Sequence, residues 1–144
     1  MAIEWDGQPT NSEKVRRTLE INLVAPYAIT EALVPLLSLS DDARVINQSS
    51  QLGSIDAAEK MWQYISGFMT VGYATSKAGL MLTRFTSVRD CSCHHPGWVK
   101  TDLGTDAAPM EVEEGASTVV SLVTIARDQF PHGQLVHKGE RIPW

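Results

Sequence analysis

The chain has 144 residues, 43% hydrophobic and 20% charged, the composition of one globular domain around one core. Its formal net charge of -5 and sequence pI near 5.3, with no basic run or stripe, exclude a nucleic-acid surface built on phosphate neutralisation. Small-molecule chemistry or protein contact fits this balance better.

Cys91 and Cys93 are too few and too close for a disulfide framework, which fits a reducing setting. Residues 1–9 have no basic start or apolar run, so no signal peptide is expected. No stretch reads as the roughly 20 apolar residues of a membrane span. The expected location is the cytoplasm, away from membrane.

Residues 1–9 read as a loop into a helix whose capping box runs from Thr10, as cap, to Glu13, reaching back. Val15, Leu19, Leu23 and the apolar run from Ile29 to Leu37 predict one long helix ending near Leu39. Pro26 has no N–H, so it leaves the carbonyl of Asn22 without its helical partner. Asn22 shares the face of Leu19 and Val15. Two readings follow: a polar notch that holds a water, or a kink satisfied locally.

Ser40 to Asp42 make a turn, and Ala43 to Ser49 a strand ending in Ser50, its Val45-Ile46 centre suited to a parallel sheet buried on both faces. Gln51 to Gly72 carries Met61, Trp62, Tyr64, Phe68 and Met69, with a possible helix from Ala57 to Tyr64. Its aromatic and Met side chains read equally as pocket wall and as half-buried core. A helix follows from Tyr73 to about Val88, then a tight link at Arg89 and Asp90 and a strand from Cys91 to His95. Strand, helix, strand is a βαβ unit. Residues 96–102 then form a loop at the strand's carboxyl end, where ligands bind in open parallel sheets. Pro109 is expected at a first helical position, with Glu111, Glu113 and Glu114 in the opening turns. Val112, Ala116, Val119, Val120, Val123 and Ala126 predict a helix with one buried face. Gly133 to His137 reads as a last strand, and Glu140 to Trp144 as a short end piece.

Within Tyr73-Ala74-Thr75-Ser76-Lys77, residues four apart share a helical face, so a phenol and an ammonium lie side by side. A cation stabilises phenolate and lowers the phenol's pKa from about 10. A phenol so poised exchanges protons with a carbonyl oxygen or an alcohol. Cys91, Cys93 and His95 alternate on one strand face and admit a metal-ligand reading. The competing reading is a small buried cysteine pair, and no metal is assigned. His132 and His137 read as surface or loop residues.

Asn22 with its neighbours (EINLVAP), residues 44–50 (RVINQSS), 73–79 (YATSKAG), 95–102 (HPGWVKTD), 114–116 (EGA) and 132–136 (HGQLV) stand in a specific order. In that order they resemble the C-terminal half of a short-chain dehydrogenase/reductase, most like the carbonyl reductases. The resemblance implies an α/β fold: a partial Rossmann-type parallel sheet, the C-terminal half of a doubly wound domain, flanked by helices. It implies that residues 1–144 are a truncated domain of this kind, without the glycine-rich dinucleotide-binding part. The reaction implied is hydride transfer from NADPH, ahead of NADH, to a small-molecule ketone or aldehyde.

Carried over by residue, Tyr73 is the general acid/base and Lys77 lowers its pKa and bonds the cofactor ribose. Ser50 bonds the substrate carbonyl, and the Asn22 carbonyl holds a relay water. Pro96, Gly97, Val99 and Thr101 meet the nicotinamide, and Trp98 lines the substrate pocket. Three departures stand out. No two glycines are separated by one residue, so Gly-x-Gly-x-x-Gly is absent and the first strand is left with an open sheet edge. The crossover from Lys77 to Pro96 is short. The gap from Ser50 to Tyr73 is long, as in carbonyl reductases, and could cover the pocket. Activity of this chain by itself is left open; the alternative is a non-catalytic interaction module that forms a homo-oligomer or pairs with a full-length relative.

Overall fold

A computed structural model describes residue 4 and residues 8–58, 60, 71–83 and 90–144. Helix α1 spans Ser12–Leu19 and α2 Ala25–Leu37, joined by a π-helical stretch at Glu20–Val24. Asn11, not Thr10, is the cap, its side chain accepting from Lys14 N at 3.0 Å. The Thr10 hydroxyl is instead spent on Glu4 at 2.7 Å, and Glu13 pairs with Arg16 rather than reaching back. Pro26 does not break the helix, because the π stretch shifts the ladder to bonds five residues long, as from Ala25 N to Glu20 O.

The result is a continuous helical run, Ser12–Leu37, of 26 residues. By length and composition it is apolar enough to cross a membrane, with a best-window mean hydropathy of 1.2. The expectation that no stretch approaches a span is corrected on this point.

Strand β1 is Arg44–Gln48, α3 is Val71–Leu82, β2 is Asp90–His94, α4 is Val112–Thr124, β3 is Leu135–His137 and β4 is Glu140–Ile142. Among the described residues they form one sheet in the order β1-β2-β3-β4. The first three strands are parallel, and β4 returns antiparallel to β3, so the expected end piece is a fourth strand. Despite the short crossover, β2 lies parallel to β1 in full register, from Arg44 opposite Asp90 to Gln48 opposite His94. The helix end expected near Val88, Arg89 of the expected link, the aromatic and methionine positions of residues 61–70, and most of the helix expected from Ala57 lie outside the described residues.

The core is small. Met81 on α3, Cys93 on β2 and Leu135 on β3 meet at its centre, with Ile142 and Trp144 of the returning end packed on it. Polar residues share the interior: Thr18, Asn22, Ser76, Ser92 and His94 are all buried.

Apolar residues of the flanking helices do the reverse. No α2 residue is buried, and Ile29 and Leu36 are 61% and 65% exposed. On α4 the buried positions are Gly115, Thr118 and Leu122, while Val112, Val120 and Val123 face outward, correcting the expected buried face. That helix also starts three residues after Pro109, because Met110 is held in a bridge to Val99. Strand β1 is an edge, and its Val45 and Ile46 are only half-buried. Arg44 closes the lower end of this edge: it pairs with Asp42 at 2.9 Å and donates to the last carbonyls of α4, Leu122 O at 3.0 Å and Val123 O at 3.2 Å.

Candidate active site

The carboxyl end of β1 runs into Ser49 and Ser50, both buried. Ser49 N donates to His94 O at 2.8 Å, extending the ladder, and its hydroxyl donates to Lys77 O at 2.9 Å, tying the strand end to α3. The Ser50 hydroxyl accepts from Leu52 N at 3.2 Å and so caps a short 3₁₀ turn at Gln51–Gly53. This turn lies directly on the α3 backbone. A Cβ on Gly53 would sit 2.6 Å from Ala78 N, closer than real contacts permit, so the glycine is what lets Ser50 reach the helix.

Tyr73, in the first turn of α3, is buried, and its hydroxyl is hydrogen-bonded to that of Ser50. Lys77 follows one turn later, its ammonium 5.6 Å from the Tyr73 ring centroid. The pair expected from spacing is thus adjacent, but its electrostatics differ. Burial raises the Tyr73 phenol above its usual value, and the Ser50 hydrogen bond offsets only part of this. Burial likewise lowers the Lys77 pKa, the Cys93 sulfur pulling the other way. The expected phenol poised by its lysine is therefore not present in the chain by itself. The physical reason is that Lys77 Nζ donates to Gln48 O at 2.8 Å and sits over the ring, while the phenol loses solvation.

Asn22 stands behind this pair. Its side-chain amide donates to the Ser76 hydroxyl at 3.2 Å, which donates to Tyr73 O at 2.7 Å. The residue chosen for its backbone carbonyl thus also acts through its side chain, bracing the helix that carries Tyr73.

The loop after β2 lies at the same end of the sheet, since His94 is the ladder partner of Gln48. Gly97 has φ +94, a backbone conformation that favours glycine. The Trp98 indole donates to Gly104 O at 2.8 Å and is more than half exposed, so it stands at the rim of the loop. Val99 packs on Gly115 of α4, and Lys100 N donates to Met110 O at 2.9 Å. Thr101 Oγ1 accepts from Gly104 N at 3.1 Å. Past it opens a cleft of about 410 Å³ lined by Lys100, Thr101, Asp102, Thr105 and Asp106, and not by Ser50 or Tyr73.

The structure therefore brings Ser50, Tyr73 and Lys77 into one cluster with Asn22 behind it, and sets residues 96–101 on the neighbouring strand end. Cys91 and Cys93 are buried and are not joined in a disulfide. Among the described residues no three His, Cys, Asp or Glu side chains are grouped to hold a metal.

Three contributors had no local signal in the sequence. Glu4 accepts from Gly72 N at 3.1 Å and Tyr73 N at 2.7 Å. Ser54 donates to Pro143 O at 2.6 Å and accepts from Ala57 N at 3.0 Å, fastening the segment after Ser50 to the chain's last residues. His94 is buried with its Nδ1 unpartnered, and burial beside Lys77 and His137 lowers its pKa to about 4.

No model of a known protein family matches the chain. Individual proteins do. A (+)-neomenthol dehydrogenase of Arabidopsis thaliana is 29% identical over 171 residues, which span 90% of this chain and 57% of that enzyme. Among solved structures, the carbonyl reductase Sniffer of D. melanogaster superposes with a TM-score of 0.76 at 29% identity, over 94% of this chain and 59% of Sniffer. An NADPH-bound carbonyl reductase from chicken fatty liver superposes with a TM-score of 0.82 at 26% identity, over 100% of this chain and 62% of that one. The chain is related to the short-chain dehydrogenases/reductases, and its sheet and helices are part of their α/β fold. Within that class its relatives are the carbonyl reductases and neomenthol dehydrogenases, and it corresponds to the C-terminal half of their domain, a little over half of their length.

Proposed function

We propose that this chain carries the proton-transfer half of an NADP(H)-dependent oxidoreductase of the short-chain dehydrogenase/reductase type, acting on a small ketone or aldehyde. One observation supports this above all: a buried Tyr73 phenol hydrogen-bonded to the Ser50 hydroxyl, with the Lys77 ammonium one turn away on the same helix. In this reading Ser50 holds the carbonyl oxygen and Tyr73 delivers the proton to it. A hydroxyl pair and an ammonium at the carboxyl end of parallel strands suit the ribose and nicotinamide end of a dinucleotide. Lys77 would hold the ribose, with Pro96, Gly97, Val99 and Thr101 against the ring and Trp98 at the substrate side. The cofactor supplies the hydride when bound. A bound cofactor also gives Lys77 a partner other than Gln48 O, and the Asn22 carbonyl would hold the water that resupplies the proton.

The sequence holds no Gly-x-Gly-x-x-Gly, and the chain aligns with little more than half of its relatives. In this reading the residues that hold the pyrophosphate lie outside these 144, and the setting is cytoplasmic. The test is NADPH-dependent reduction of a panel of ketones and aldehydes by the 144-residue chain and by the chain joined to a carbonyl reductase's glycine-rich half. The joined protein should turn over and lose its rate on Tyr73→Phe, while the chain by itself stays at background. A folded, NADPH-binding joined protein whose rate ignores Tyr73 contradicts the reading.

The second reading, an interaction module, is favoured by a different observation: among the described residues the outer edge of β1 has no strand partner, and α2 and α4 carry exposed apolar residues. Such an edge accepts another strand, from a second copy or a full-length relative. The buried Thr18 and Asn22 side of the long helix supports a protein partner over a lipid one for its apolar outer face. Light scattering after size-exclusion chromatography decides this, since a stable, well-folded monomer contradicts it.

A further inference from the structure

We infer that Glu4 is a positioning residue for Tyr73, a cap supplied from the far end of the chain that fixes the start of α3. A helix begins with backbone N–H groups that have no partner within it, and the common remedy is a Ser, Thr, Asp or Asn immediately before it. Among the described residues, two of these N–H groups, on Gly72 and Tyr73, are met from 68 and 69 residues away. Glu4 Oε1 accepts from Gly72 N at 3.1 Å, and Oε2 accepts from Tyr73 N at 2.7 Å. The Thr10 hydroxyl donates to Oε1 at 2.7 Å and holds the carboxylate in place. Glu4 is only 5% exposed, so these bonds form out of water, where charged acceptors bind N–H donors most strongly, at the positive end of the helix dipole.

The geometry of Gly72 is an independent sign that the site is built. A Cβ there would lie 2.8 Å from Glu4 Oε2 and 3.0 Å from the Val15 Cα. Only glycine lets the carboxylate and α1 approach the helix start together. The consequence falls on Tyr73, whose peptide groups are then held on both sides. Its N–H is bound by Glu4, and its C=O accepts from Ser76, which Asn22 braces. With both ends fixed, the phenol has a defined direction toward Ser50. This inference rests on the oxidoreductase reading only for what Tyr73 does; the clamp itself needs neither cofactor nor substrate.

The test is amide hydrogen exchange by NMR on the 144-residue chain, with the Tyr73 ring titrated in the same samples. In Glu4→Ala the Gly72 and Tyr73 amides should exchange at least tenfold faster, while Cys93 and His95, bonded across the sheet, keep their rates. The Tyr73 midpoint should fall toward its ordinary value as the ring leaves its buried place. Glu4→Gln, with one acceptor oxygen left, should fall between. Gly72→Ala should reproduce Glu4→Ala with the carboxylate still present, which serves if Glu4→Ala does not fold. Unchanged exchange at Gly72 and Tyr73, or equal loss of protection across β2 and β3, overturns the inference. Absence of reductase activity in any arm bears on the oxidoreductase reading alone.

Discussion

The carboxyl ends of β1 and β2 and the outer faces of α2 and α4 are built on opposite plans. At the strand ends, several buried polar groups are matched: Ser49 with Lys77 O, Ser50 with Tyr73, Asn22 with Ser76, Glu4 with the start of α3; Nδ1 of His94 and of His95 is not. On the outer helices, Ile29, Leu36, Val120 and Val123 are more than half exposed. Buried polar groups are costly unless paired, and large exposed apolar faces mark surfaces that another element covers. The strand-end cluster is thus tied together within this chain, while the outer helix faces are left open.

The largest effect that would break this contrast is at Lys77. Lys77→Met in the joined protein should lower turnover by roughly 10²-fold or more, the scale of a lost acid–base partner, and raise the KM for NADPH. A change in neither would remove Lys77 from the site.

Acid should act next, and on the strand ends. His94 is buried and His95 half-buried, and their pKa values fall to about 4, through loss of solvation first and neighbouring charges second: Lys77 and His137 for His94, His137 and His94 for His95. The unfolded chain binds protons on these rings near pH 6.5 and the folded chain does not. Their contribution is therefore present above about pH 6.5 and lost as pH falls from there toward 4, on the order of 3 kcal/mol for His94. Urea midpoints measured from pH 7.5 to 4 should drop across that window, and less so in His94→Gln. A flat profile would mean the rings are already charged or solvated.

Gly53→Ala should cost about 1–3 kcal/mol, as overpacking does, because its Cβ meets the α3 backbone rather than a side chain that can move. A neutral result, read by thermal unfolding, would show that the turn under Ser50 is loosely seated. Smallest of all, Leu36→Lys and Val123→Lys should each change stability by within about 0.5 kcal/mol, as surface changes do. If the interaction reading is right they should also lower the self-association seen by light scattering. A larger loss of stability would show that these faces are already covered.

Much of the centre was legible in the sequence, for physical reasons. The Val45-Ile46 centre after a turn marked β1, the βαβ order and a tight link marked β2, and the four-residue spacing of Tyr73 and Lys77 placed both on one helical face. Asn22 in line with Val15 and Leu19 marked a buried polar position. What failed was whatever depends on the neighbour a residue finds. Periodicity on α4 reveals an apolar stripe but not what covers it, so Val120 and Val123 were expected inside. A capping box was expected at Thr10 because the rule sees four residues, whereas Thr10 answers to Glu4. The phenol was expected to be poised by its lysine because spacing gives proximity and not solvation, and in the folded chain burial wins. The cap from Glu4 to Tyr73 spans 69 residues, and nothing local announces it.

The most direct measurement follows the hydride and asks whether its transfer needs the Tyr73 hydroxyl. The joined protein is supplied with NADPH carrying deuterium at the transferring carbon and a ketone substrate, and the alcohol is read by mass spectrometry. The account predicts deuterium on the carbinol carbon with the chain's own Tyr73, and label transfer slowed by roughly 10³-fold in Tyr73→Phe, within the range for loss of a general acid. Label transfer at an equal rate in both proteins, or its absence in a joined protein that folds and binds NADPH, would contradict it.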